Sequence, residues 1–139
     1  MNVRFDVFGL PAPQGSKSAV VRGTKAVVIE GSSKGARERH GNWRSAVADA
    51  SRLTGRHFDG PVAVWIQFRH PMPKSRPAKI RQAGIWPKVT APDLDKLIRA
   101  TLDGMTAGGL LSDDAIVCVV HAYKHEVWQA WTGATISVE

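Results

Sequence analysis

Four prolines, Pro71, Pro73, Pro77 and Pro87, fall between an alternating stretch and a helical one, and they set the strongest constraint on how this 139-residue chain can fold. Before them, Val62, Val64, Ile66 and Phe68 take every second position of Val62 to Arg69, the period of a strand with one buried face; Trp65 falls on the other side. After them, Leu94, Leu97, Ile98, Thr101, Leu102 and Met105 recur at three- and four-residue steps, which predicts a helix ending near Gly104 or Gly108-Gly109. Proline brings no N–H to a ladder, so His70 to Ala91 is expected to form an irregular loop. The same stretch carries Lys74, Arg76, Lys79, Arg81 and Lys88. A long basic loop inside a compact domain is a candidate clamp for a phosphate backbone, and the plain alternative is a solvated linker.

The rest of the chain supplies the partners. Val3, Phe5 and Val7 alternate with Arg4 and Asp6 as a strand, Pro11 to Ser16 breaks it, and Thr24 to Glu30 is a second strand. Gly31 to Gly35 reads as a loop ahead of a helix whose apolar stripe is Trp43, Ala46, Val47, Ala50 and Leu53, with Arg37, Arg39, Arg44 and Arg52 on its other faces. Ala115 to Val127 and Ala134 to Val138 read as the last two strands. The order β-β-α-β-α-β-β, without regular βαβ repetition, predicts an α+β fold: one domain over 1–139, a mixed sheet with two main helices packed on it. Trp43 and Trp65 are expected in the core, and Trp86 is placed to stack on a base or to pack at a dimer seam.

Composition narrows the partners. The chain carries a formal +7, and its 43% hydrophobic content excludes a wholly disordered polymer. The charge is unevenly spread: Met1 to Val89 holds 16 Lys+Arg against 5 Asp+Glu, whereas Thr90 to Glu139 holds 3 against 7. A basic body favours nucleic acid, then an anionic membrane surface. With no apolar run of membrane-spanning length and no leader pattern, the expectation is a cytoplasmic protein without a membrane role. Cys118, the one cysteine, is expected as a small buried side chain. His121 and His125 lack the glutamate of a zinc-protease helix, and Gly31 to Gly35 lacks the phosphate-loop spacing, so neither zinc nor a nucleoside triphosphate is expected.

The acids concentrate in Pro92-Asp93-Leu94-Asp95-Lys96-Leu97-Ile98-Arg99 and in Asp113-Asp114. Carboxylates set in a basic protein repel a polyanion unless a divalent cation intervenes, which points to metal-dependent phosphodiester chemistry. Inside one helix Asp93 and Asp95 would face nearly opposite ways. Pro92 relieves this by biasing Ala91 towards an extended conformation, so that Asp93 sits at or before the N-cap and both carboxylates meet at the helix entrance. Asp113 and Asp114 are expected to open a strand, where only one can face the site, and alternation does not choose between them. Three carboxylates suffice for Mg²⁺ when phosphate and water complete the octahedron. The bland reading makes Asp93 a cap, Asp95–Arg99 an exposed ion pair and Asp113-Asp114 a polar hairpin.

PDLDKLIRATLD followed by LLSDDAIV resembles the signature of the RusA family of Holliday junction resolvases, a D-L-D-N-L-x-K core, a helix, and a turn with D-D before an apolar strand. The likeness is firm over 92–117 and looser in GLPAPQGSKS and PMPKSRP, which are similar to phage-type members. It implies a RusA-like fold and a homodimeric endodeoxyribonuclease that uses Mg²⁺, with Mn²⁺ as a substitute, to nick four-way DNA junctions symmetrically. By matching position, Asp93, Asp95 and Asp114 would hold the metal, with Asp113 supporting them. Arg99 stands where the family has a catalytic lysine and Lys96 where it has asparagine. Arginine keeps the charge but gives up no proton near neutral pH, so Arg99 is expected to stabilise phosphate charge, with Lys96 beside it. The rivals are a non-catalytic branched-DNA-binding protein and a Mg²⁺ nuclease acting on flaps or forks.

Overall fold

The computed structural model describes residues 2–13, 17–22, 25–30 and 34–139. In chain order the elements are β1 (Val3–Phe8), β2 (Lys17–Arg22), β3 (Lys25–Glu30), α1 (Lys34–Leu53), β4 (Val62–Pro71), α2 (Ala78–Ala83), β5 (Ile85–Pro87), α3 (Leu94–Ala107), a 3-10 turn (Asp114–Ile116), β6 (Val117–Val127) and β7 (Gly133–Val138). Five strands form one sheet in the order β1-β7-β4-β6-β5, and β2-β3 is a separate antiparallel pair. Within the sheet β4 and β6 run parallel while the other neighbours are antiparallel, so the sheet is mixed and the α+β expectation holds.

The alternation of β4 does what its period requires: Val62, Val64, Ile66 and Phe68 are all buried. They meet Trp43 and Val47 of α1 and Leu97, Ala100 and Met105 of α3 in one core. The two helices approach closely, since a Cβ on Gly104 would come within 2.8 Å of Val47 and one on Gly108 within 2.3 Å of the Ala48 carbonyl. One buried polar chain ties the helices here: Trp43 Nε1 donates to Thr101 Oγ1, which itself donates to the Leu97 carbonyl. The opposite face of the sheet carries Trp65 stacked on His121 at 5.3 Å and the Arg69 guanidinium 4.2 Å over Trp131. No described helix is long and apolar enough to cross a membrane.

Several local expectations need correction. The stretch 70–91 is not one irregular loop: β4 runs on to Pro71, α2 forms a single short helix, and β5 pairs with His125 to Val127 of β6. Proline is tolerated because Pro71 ends a strand and Pro87 closes one at the sheet edge, where no ladder N–H is needed. Asp113-Asp114 does not open a strand, and β2 was not anticipated. Cys118 is exposed, because β6 has no strand beyond it among the described residues until β5 joins at Val127 to His125. Leu53, at the end of α1, is 88% exposed, and Trp65 is only half-buried. Gly31 to Ser33 and the side chains of Arg37 and Arg39 lie outside the described residues.

Candidate active site

Asp93 is the N-cap of α3, with φ −68° and ψ 141°. Its extended backbone is the one inferred from Pro92. Its carbonyl accepts the first helical bond, from Leu97 N at 3.1 Å, yet its side chain makes no capping hydrogen bond. The carboxylate is left at the surface with Lys96 Nζ 3.8 Å away. Asp95 lies in the first turn and Arg99 one turn further on, both exposed. Among the described residues they form no ion pair with each other. The bland reading is thus right about the position of Asp93 as a cap but not about its side chain, it fails for the Asp95–Arg99 ion pair, and in place of a polar hairpin Asp113 caps a 3-10 turn, its side chain accepting from Ala115 N at 3.1 Å.

Asp114 opens that turn, half-buried against the C-terminal half of α3. Thr106 Oγ1 donates a hydrogen bond to it. Burial pushes the Asp114 carboxyl above the ordinary carboxylate range, the Thr106 hydroxyl pulls it back, and Asp103 and Asp113 push it up again through a hydrogen bond and like charge. Asp103 had escaped the sequence reading. The signal was available in the spacing of Asp95, Arg99 and Asp103, which recur every fourth residue and share a helical face. Among the described residues no three His, Cys, Asp or Glu side chains stand close enough together to form a ready metal cage.

The basic residues divide into two groups. Lys74 and Lys79 are exposed and, among the described residues, engage nothing. Arg76 is committed: its Nε and Nη2 donate to the two oxygens of Glu126 at 2.5 and 3.1 Å, and that carboxylate is fully buried. Arg81 donates to the Arg76 carbonyl and lies 5.3 Å over the Trp128 ring. Lys88 is half-buried, donates to Thr90 Oγ1, and is shifted below the usual lysine range by burial and by the nearby Lys124 and Arg76 charges, with Glu126 opposing them. Lys96 is exposed beside Asp93. Of these residues Lys74, Lys79 and Arg99 are exposed without a partner among the described residues and Lys96 is exposed in an ion pair with Asp93, whereas Arg76 and Arg81 brace the end of the sheet.

A family model described as Endodeoxyribonuclease RusA matches residues 11–139 of the chain. No curated protein sequence matches it.

Proposed function

The chain belongs to the endodeoxyribonuclease RusA family, enzymes that hydrolyse phosphodiester bonds of DNA, and from that premise we propose that it is a Mg²⁺-dependent, structure-selective endonuclease that resolves four-way junctions by paired nicks. The observation that carries the site assignment is the withheld Asp93 carboxylate: an aspartate at an N-cap that does not cap is available for another ligand. Asp95, in the first turn of the same helix, and Asp114, crowded by Asp103 and Asp113, are the other hard oxygen donors of the proposed set, suited to Mg²⁺ with Mn²⁺ as a substitute, although in this structure the three do not stand together as a ready cage. Asp93, Asp95 and Asp114 would hold the ion.

When bound, the ion supplies neutralisation of the scissile phosphate and acidification of water. The protein supplies the rest. Lys74 and Lys79 draw in the DNA backbone without reading sequence, which makes binding salt-sensitive. Arg99 offsets charge that builds on the phosphate, and Lys96 aids it from the first turn of α3. Neither is assigned a proton transfer, because a guanidinium does not release one at neutral pH. Thr106 fixes the Asp114 carboxylate, and Asp113, by capping the turn, fixes the backbone that carries it. The protein acts as a homodimer in the cytoplasm, since two equal sites related by a two-fold axis match the two equivalent strands of a junction.

Asp95→Asn removes a charge at the helix entrance without changing shape. It is expected to abolish cutting and leave junction binding within a few fold of wild type, read by gel shift and by end-labelled cleavage side by side. Retained cleavage at normal rates would remove Asp95 from the site.

A further inference from the structure

Strand β6 runs over Val117–Val127, yet β5 lies beside only His125 to Val127, and the next bond on that side is from Lys88 N to the Lys124 carbonyl at 3.0 Å. From Val117 to Tyr123, β6 pairs with β4 alone among the described residues. Two bonds fix which backbone groups are left over. The Lys124 carbonyl points to the β5 side, and the Val127 carbonyl, which accepts from Met72 N at 2.9 Å, points to the β4 side. Successive residues of a strand turn their N–H and C=O to opposite edges, and the β4 register is regular from Val119 onward. Val120 and Ala122 therefore turn theirs to the open edge, whereas Val119, His121 and Tyr123 turn theirs to β4.

The side chains along this edge are unusual for one that faces water. Val117-Cys118-Val119-Val120-His121-Ala122-Tyr123 holds no Asp, Glu, Lys or Arg. Val119 is 45%, Val120 37% and Tyr123 54% exposed, and Cys118 is exposed too. Val120 and Ala122 lie beside Val64 and Ile66 of the core face, while Val119, His121 and Tyr123 lie beside Ala63, Trp65 and Gln67 on the other. Apolar residues are thus uncovered on both faces of one strand. An edge left to solvent is usually blunted by a charge or a proline, because its free backbone groups recruit another strand.

We propose that this edge is the seam between two copies of the chain, β6 of each pairing antiparallel with the other about a two-fold axis through Val120. The seam deepens the two-fold dimer of the nuclease reading and rests on that reading for its use. A two-fold contact must be self-complementary, and the ends of the slot select this register. The 3-10 turn Asp114–Ile116 bounds the slot at one end and Lys88, beside Lys124, bounds it at the other. With the axis at His121 the partner's Cys118 would fall where Lys88 lies, and with the axis at Val119 the partner's Ala115, part of the turn, would fall beside Tyr123. At Val120 the open run meets its own copy end to end. Val120 exchanges N–H and C=O bonds with the partner's Val120, Val119 lies opposite the partner's His121, and Val117 opposite the partner's Tyr123. Without Lys or Arg the edge offers nothing to a phosphate backbone, whereas it offers a second copy main-chain bonds and apolar cover.

The outward N–H of Val120 supplies the test, because a proline there removes no bond to β4 and only bonds across the seam. Sedimentation equilibrium of the full chain without DNA, at micromolar concentration, should give the wild type twice the 15.1 kDa of one chain. Val120→Pro, and Val120→Lys, which sets two ammonium groups face to face at the axis, should each halve that mass with an unchanged circular dichroism spectrum. A second measurement needs no disruptive change. Dibromobimane, which fluoresces when it bridges two thiols, should join chains carrying Val120→Cys in a Cys118→Ser background. It should leave the wild type unjoined, since each Cys118 faces the partner's Ala122. A wild type of single-chain mass, variants that both remain dimeric, or a Val120→Cys chain that is not bridged would overturn the seam. A dimer joined at Val120 that cuts no DNA would instead overturn the nuclease reading and leave the seam standing.

Discussion

At the scale of single residues, the candidate site is costly to its own fold. Asp114 carries a carboxyl whose pKa is raised by burial and by Asp103 and Asp113, so its ionised form is less favourable folded than unfolded. The sign follows from linkage: a carboxyl raised in the folded state destabilises the fold above the folded pKa, and the penalty vanishes below the unfolded one. Asp114→Asn keeps an oxygen for the Thr106 hydroxyl and removes the charge. It is expected to raise the thermal midpoint at pH 7 to 8 in EDTA, with the gain shrinking as pH falls through the carboxylate range, while the variant cuts no DNA and loses the stabilisation that Mg²⁺ gives the wild type. An equal midpoint at every pH would contradict the assignment of strain to Asp114. Arg76 presents the opposite case, a basic residue occupied in support. Arg76→Ala strands the fully buried Glu126 carboxylate and should lower the melting midpoint by far more than Lys79→Ala at the surface, as differential scanning fluorimetry would read.

At the scale of elements, the parts legible in the sequence are those where one physical signal acts alone. The period of two over Val62 to Phe68 gave β4, and the stripe from Leu94 to Met105 gave α3, because burial of one face dictates both. Continuing the period of two by one step already places His70 on the buried side of β4. The misread elements are those decided by tertiary neighbours. β5 exists because the end of β6 offers it an edge at Val127 to His125, and α2 is too short to show a stripe. Cys118 sits in an apolar run yet is exposed, since an apolar sequence cannot reveal that its strand lies beside an open edge. Within the acidic motif, Pro92 made the N-cap position of Asp93 legible, whereas the support of Asp114 by Thr106 and Asp103 depends on how the turn folds back on α3. The contact between α1 and α3 yields a further expectation. Gly108→Ala would drive a methyl into the Ala48 carbonyl, so it should destabilise the domain by roughly 1–3 kcal/mol in urea unfolding. A neutral result would mean that the two helices can separate without cost.

At the scale of the whole molecule, charge is unevenly divided along the chain. The excess of Lys and Arg before Thr90 is followed in the chain by a short acidic segment that reaches the surface at the entrance to α3. In the proposed function a polyanion drawn to the basic residues would meet carboxylates at that point, and a divalent cation would reconcile the two. Duplex DNA has the charge to be attracted, but under the proposed reading only a branched molecule would offer two equivalent strands to a two-fold dimer. The most direct test is cleavage of an immobile four-way junction, each strand end-labelled in turn, against a matched linear duplex, in Mg²⁺ and in EDTA. The account predicts paired, symmetric nicks on the junction alone and only with Mg²⁺; cutting of the duplex at the same rate, or cutting that persists in EDTA, would contradict it.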